Sequence, residues 1–276
     1  MPLIGGYEDA LRARGRAPKT VAVYLQTVRL YCASCDPVSV TSVDVERWLA
    51  GFEVGANTRS QYLIRVRGFH RWLQRAGYRV DDPTVDLERP RVPPVGPRPL
   101  PDTVLEAIWK AADPMERAWI VLGLYCGLRA GEAVRVQVED LCVPGQLRVV
   151  GKGNRERWVP VRPEVLDALR TVGWPTAGRF FPRAGEKAAS TRIGRLLRAV
   201  GAPGWASYHC LRHTYGTRLY AATHDIRLVQ ELLGHSSVAT TERYVQVDRS
   251  RAVGAVLGLP PLGTPPNTHS RRLVAV

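Results

Sequence analysis

Lysine, methionine and phenylalanine are scarce in this 276-residue sequence: phenylalanine occurs four times, methionine twice, and lysine only at Lys19, Lys110, Lys152 and Lys187. Long apolar runs are missing too. The longest, such as residues 119–126, fall far short of the roughly 20 residues that cross a bilayer. The N-terminus lacks the basic-then-apolar pattern of a signal peptide, so a membrane or secreted protein is not expected and a cytoplasmic location is. Cysteine occurs five times, an odd number that argues against a disulfide framework. Cys32 and Cys35 form a lone C-x-x-C; with no second pair and no βαβ pattern they read as ordinary thiols. The sequence has no G-x-x-x-x-G-K-S/T loop, no G-x-G-x-x-G and no H-E-x-x-H, which sets aside an ATPase, a dinucleotide enzyme and a zincin.

Negative charge is also in deficit. Against 39 basic side chains stand 25 acidic ones, a formal net charge of +14. Such an excess calls for a polyanionic partner, most simply nucleic acid. It is spread along the chain rather than gathered in a tail, so the positive surface belongs to folded domains.

Prolines crowd the stretch ERPRVPPVGPRPLP at 88–101, forbidding regular helix and holding the backbone extended. This reads as a linker, which divides the chain into residues 1–88, a linker at 89–101, a second domain at 102–258 and a disordered Pro/Gly/Thr-rich tail at 259–276. Four helices are expected before the linker. One covers 7–14; a second opens at Pro18, which suits a first helical turn, and runs to about Cys32; Thr41 and Asp44 form a variant capping box for a third, to about Ala50. Asn57 caps the fourth, stopped by Gly77. Arg59, Arg65, Arg67, Arg71 and Arg75 ride on that last helix beside its apolar stripe, and we read them as a face that contacts DNA phosphates. Beyond the linker the pattern is mainly helical (102–112, 115–127, a short helix from Ala130, 163–172, 190–200, 209–221, 226–233, 238–245). It carries one small antiparallel sheet of three strands at 140–143, 146–150 and 157–161. The fold class is mainly α, α+β.

Five motifs follow one another in this second domain: Cys126-Gly-Leu-Arg129-Ala-Gly-Glu132, Lys152 in a turn between strands, His209-Cys-Leu-Arg212, Leu232-Leu-Gly-His235, and Thr241-Glu-Arg-Tyr244. Singly each is weak, since H-x-x-R is common by chance and G-K-G is an ordinary hairpin turn. His209 and His213 could even face one zinc ion, though no further ligand motif follows. In this order and spacing the motifs resemble the tyrosine recombinase, or phage integrase, family. The resemblance is strong from Leu100 to about Val245, and the four-helix segment resembles the family's SAM-like core-binding domain more loosely.

The resemblance implies a site-specific recombinase needing no metal or other cofactor. Tyr244 would be the nucleophile, forming a 3′-phosphotyrosyl link, with Arg129 and Arg212 clamping the phosphate. Lys152 would be the general acid, His209 and His235 would assist proton transfer and orient the phosphate oxygens, and Glu132 would hold an arginine or histidine in place. Its partner would be double-stranded DNA with core-type inverted repeats. It would work as a homotetramer on paired sites and as a monomer or weak oligomer when free, with a directionality factor as an accessory. With so short an N-terminal region, no arm-type DNA-binding domain is expected. Among functions, phage-type integration and excision is preferred, with Xer-like chromosome-dimer or plasmid resolution as the alternative. A type IB topoisomerase and an inactive DNA-binding protein are the readings from other classes. After the tyrosine, the apolar set Val253, Val256, Leu257 and Leu259 is expected to dock on a neighbouring protomer.

Overall fold

A computed structural model of the chain describes residues 2–92, 96–151 and 154–234. It groups into two compact units, Met1–Pro94 and Val95–Val276, each considered by itself.

The first unit is built on α1 (Pro2–Ala13), α2 (Pro18–Cys32), α3 (Ser42–Ala50) and α4 (Ala56–Arg75). Pro18 occupies the first turn of α2, and the Thr41 hydroxyl accepts from the Asp44 amide while the Asp44 carboxylate accepts from the Thr41 amide, closing the capping box of α3. Two boundaries depart from expectation. Helix α1 begins at Pro2, five residues early, because Gly5 and Gly6 do not break it; Ile4, Tyr7 and Leu11 are its buried face, and Gly6 lets the Trp72 ring come within 3.0 Å of where a Cβ would sit. Helix α4 is preceded by Gly55, which makes no side-chain cap, so Asn57 lies inside the first turn rather than capping it. Tyr7, Tyr31, Leu63, Phe69 and Leu73 fill the core, each apolar side chain contributing about 2 kcal/mol. One polar pair sits among them: the Tyr31 hydroxyl lies 2.9 Å from His70 Nε2.

The second unit comprises α5 (Asp102–Ala111), α6 (Pro114–Tyr125), α7 (Ala130–Ala133), a 3₁₀ turn (Val138–Leu141), β1 (Gln146–Val150), β2 (Glu156–Pro160), α8 (Pro163–Val172), α9 (Glu186–Ala199), α10 (Tyr208–Thr223) and α11 (Ile226–Leu233). Helix α6 is its centre, capped by an Asp113/Glu116 box and buried along 118–124. A helix apolar on every side must be covered on every side, and α7, α8, α9 and α10 all pack on it.

The three-stranded sheet is corrected. Among the described residues β1 pairs only with β2, antiparallel, with Gln146 opposite Pro160 and Val150 opposite Glu156. Residues 138–141 form the 3₁₀ turn because Asp140 accepts a hydrogen bond from the Gln137 amide, 3.0 Å, and another from Arg148, 3.2 Å. That carboxylate curls the chain where a strand needs it extended. The N-terminal approach is fixed as well: the Leu100 amide donates to the Thr214 hydroxyl, 2.9 Å, tying the start of the unit to α10. The helix expected at 238–245 and the tail lie outside the described residues.

Candidate active site

Helix α6 is capped at its end by Cys126, and the chain turns on Gly127 in a left-handed conformation, φ +64°. Only glycine fits, because a Cβ there would stand 2.5 Å from the Tyr215 ring. The turn delivers Arg129 to the start of α7, where its amide donates to Glu132 Oε2, 2.9 Å, and its Nη1 to Glu132 Oε1, 2.8 Å. The Arg129 side chain remains 40% exposed whereas that of Glu132 is 4% exposed. The buried end of the pair is therefore the carboxylate and the solvent-facing end the guanidinium.

Two further guanidiniums meet the same carboxylate. Arg157, on β2, donates from Nη2 to Oε2 at 2.8 Å and from Nη1 to Oε1 at 3.3 Å. Arg212, on α10, brings Nη1 to 3.7 Å from Oε2. Its guanidinium is buried; Nη1 donates to the Gly127 carbonyl and Nη2 to that of Leu233. Burial alone would push the Glu132 carboxyl up, but the hydrogen bonds and charge of Arg157, with the amide and charge of Arg129, hold it at about 2. It is an anion throughout the physiological range, sharing one negative charge among three positive groups.

Of the residues expected in the site, Arg129, Glu132 and Arg212 are thus brought together. His209 lies exposed in the first turn of α10, its ring 4.6 Å from that of His213 and nearly perpendicular to it. Lys152, His235 and Tyr244 lie outside the described residues. The residues just before Lys152 and His235 are described: a Cβ on Gly151 would be 3.7 Å from Glu132 Oε1, and one on Gly234, φ +62°, would be 3.0 Å from Arg157 Cδ. The residues preceding Lys152 and His235 therefore both flank the Glu132 cluster. Burial pushes the Cys126 thiol and the Tyr215 hydroxyl up to about 12, and the Tyr208 hydroxyl higher still. None of these three is poised as a nucleophile.

Arg157 was not among the expected residues. The signal for it was alternation: on a strand, positions 157 and 159 share a face, Val159 is fully buried, and a charge on a buried face demands a partner.

The five arginines of α4 separate into two groups. Arg59 donates to the Phe52 carbonyl at 3.0 Å, Arg65 to Thr27 Oγ1 at 3.0 Å, and Arg67 to the carbonyls of Thr84 at 2.8 Å and Leu87 at 2.5 Å. These three hold the first unit together. Arg71 and Arg75, one helical turn apart, are exposed; among the described residues, Asp82 approaches Arg71 to 4.0 Å.

Comparison with known proteins gives three findings. Residues 99–251 match the model of the phage integrase family. Tyrosine recombinase XerC of Chromobacterium violaceum is 31% identical over 263 residues, covering 87% of this chain and 88% of its own, and tyrosine recombinase XerD of Pseudomonas putida is 30% identical over 280 residues, covering 91% and 94%. Among solved structures, a lambda integrase fragment crystallised as a dimer bound to a COC′ core site has the same fold, with a TM-score of 0.75 over 91% of this chain and 96% of that one at 19% identity.

Proposed function

The chain belongs to the phage integrase family and is a tyrosine recombinase, an enzyme that cuts and rejoins DNA; from that premise we propose that it performs Xer-type resolution of replicon dimers, using Tyr244 as its nucleophile. The observation that carries the chemistry is the carboxylate of Glu132 gathering Arg129 and Arg212, with Gly151 beside it and Gly234 beside its partner Arg157.

In this reading the Tyr244 oxygen attacks the scissile phosphorus, the bond from phosphorus to the 5′-oxygen breaks, and the energy of the phosphodiester is kept in a 3′-phosphotyrosyl ester. Lys152 gives its proton to the departing 5′-oxygen, which leaves poorly as an alkoxide. His209 helps the tyrosine lose its own proton. Negative charge grows on the two non-bridging oxygens, where guanidiniums match the planar geometry. Arg129, exposed at the cluster's rim, meets the phosphate first; Arg212 supplies charge from beneath, and His235 orients the same oxygens. Attack of a 5′-hydroxyl from a second duplex reverses the steps and exchanges strands. Four protomers on two paired sites make the second exchange possible.

Resolution is preferred over the phage-type integration expected from sequence because the relatives aligned along most of the chain carry Xer names. On a nicked suicide site, the wild type should become covalently attached to a 3′-phosphate, and Tyr244→Phe should bind but never attach; attachment by that variant refutes the assignment of the nucleophile. On a supercoiled plasmid with two directly repeated sites, deletion of the intervening DNA supports resolution. Joining of a circular donor to a second molecule without any deletion would favour integration, and relaxation with no recombinant product would favour a topoisomerase.

A further inference from the structure

Arg157 lies between three of the described segments of the candidate site. Its Nη atoms grip the two oxygens of Glu132, at 2.8 and 3.3 Å, and its Nε donates to the Leu232 carbonyl at 2.9 Å. Its Nη1 lies 3.6 Å from the Cβ position of Gly151, and its side chain lies across Gly234, with Cδ, Nη1 and Nε at 3.0, 3.2 and 3.4 Å from the Cβ position there. One planar fork therefore joins the end of the helix before His235 to the carboxylate that holds Arg129, and packs against the residue before Lys152. Only 8% of the side chain is exposed. A guanidinium at this depth, on β2 itself, spends three donors on two other segments, Glu132 and the end of α11, and packs against Gly151; it fixes their mutual distances in a way a flexible ammonium cannot.

We propose that Arg157 is a positioning residue, which sets Lys152 and His235 relative to Arg129 by binding the β1–β2 turn and the end of α11 to Glu132. The inference rests on the roles given above to Lys152 and His235. Arg157 itself contacts no reacting atom. Its removal leaves each catalytic group present but displaced, and a displacement near 1 Å costs on the order of 100-fold in rate.

The test uses the full chain with Arg157→Gln and Arg157→Lys, the latter keeping the charge so that a folded variant is available if the former does not fold. Urea midpoints establish folding and half-site binding establishes the DNA interface. Cleavage of a suicide site is then timed on ordinary DNA and on DNA whose 5′-bridging oxygen is replaced by sulfur, which departs without a proton. We expect binding within about twofold of wild type and cleavage of ordinary DNA roughly 100-fold slower for Arg157→Gln and about 10-fold slower for Arg157→Lys. Most of that loss should be recovered on the sulfur substrate, as in Lys152→Ala run alongside, because a misplaced proton donor no longer matters there. A residue that only stabilised the fold would lower cleavage equally on both substrates. Equal loss on both while Lys152→Ala is rescued overturns the positioning role and leaves the acid role of Lys152 standing; wild-type cleavage by either folded variant also overturns it. Failure of the sulfur substrate to rescue Lys152→Ala overturns the acid role and this inference with it.

Discussion

Glu132→Gln replaces the charged carboxylate at the centre of the arginine cluster with a neutral group of the same shape. Held at about 2 against an ordinary 4.5, the carboxylate as an anion contributes about 3 kcal/mol to folding. A second route gives the same size: removing one side of a buried ion pair costs about 3–5 kcal/mol because the remaining charge is left uncompensated. The folded pKa lies below the unfolded one, so the contribution is complete above pH 4.5 and is lost as pH falls through 2. Glutamine imitates the protonated acid, so the gap between wild type and variant should be about 3 kcal/mol at pH 7 and shrink to about 2 at pH 3.5. The measurement is urea unfolding followed by hydrogen exchange at the α6 amides, which isolates the second unit from the first. Covalent trapping should fall together with stability, on the order of 100-fold, since Arg129 and Arg212 lose the group that aligns them. A gap below about 1 kcal/mol, or one that does not narrow in acid, would refute the claim that Glu132 is the buried anionic anchor.

Three further outcomes follow from other parts of the chain. Burial first, and then the charge of Arg79, lower His70 to about 4 from 6.5, against the opposing pull of Asp82 and Asp81. The first unit should therefore lose about 3 kcal/mol as pH falls from 6.5 to 4, and His70→Gln should flatten that slope in α4 hydrogen exchange; an unchanged slope excludes His70 as its source. Gly127→Ala must take a left-handed conformation with its Cβ against Tyr215, so a loss of about 3 kcal/mol in urea unfolding is expected, and stability equal to wild type contradicts the packing. If the exposed Arg71 and Arg75 each neutralise one phosphate, replacing both with Gln should reduce the log-log salt slope of DNA binding by about 1.8. Arg67→Gln should instead lower the urea midpoint of the first unit, and a double variant with an unaltered slope would remove these two from the DNA face.

Legibility in the sequence followed the range of each interaction. Pro18 and the Thr41/Asp44 box act within one helical turn, and α2 and α3 begin where those signals put them. Asp140 is a local signal too, but its effect depends on Arg148, eight residues away and on a different element, so the turn-flanked segment 140–143 reads as a strand by itself. Arg129, Glu132 and Arg212 could be named from the family resemblance that the motifs carry, yet nothing in the motifs tells that all three converge with Arg157. That convergence depends on the register of β2, where Val159 faces the core and carries Arg157 inward with it. The arginines of α4 illustrate the opposite error. Their helical spacing is real, but Arg59, Arg65 and Arg67 found partners in segments that only the tertiary fold brings near.

The shared carboxylate also constrains how this protein can change by descent. Positions 129, 132, 157 and 212 form one charge set with a single anion, so a substitution at 132 passes through an intermediate in which the buried Arg157 has lost its counter-charge. At about 3–5 kcal/mol, that intermediate forfeits a large part of the 5–15 kcal/mol by which a typical domain is folded. Position 132 is thus accessible to mutation chiefly together with 157, and a lineage that has lost the carboxylate should be found to have altered the arginine.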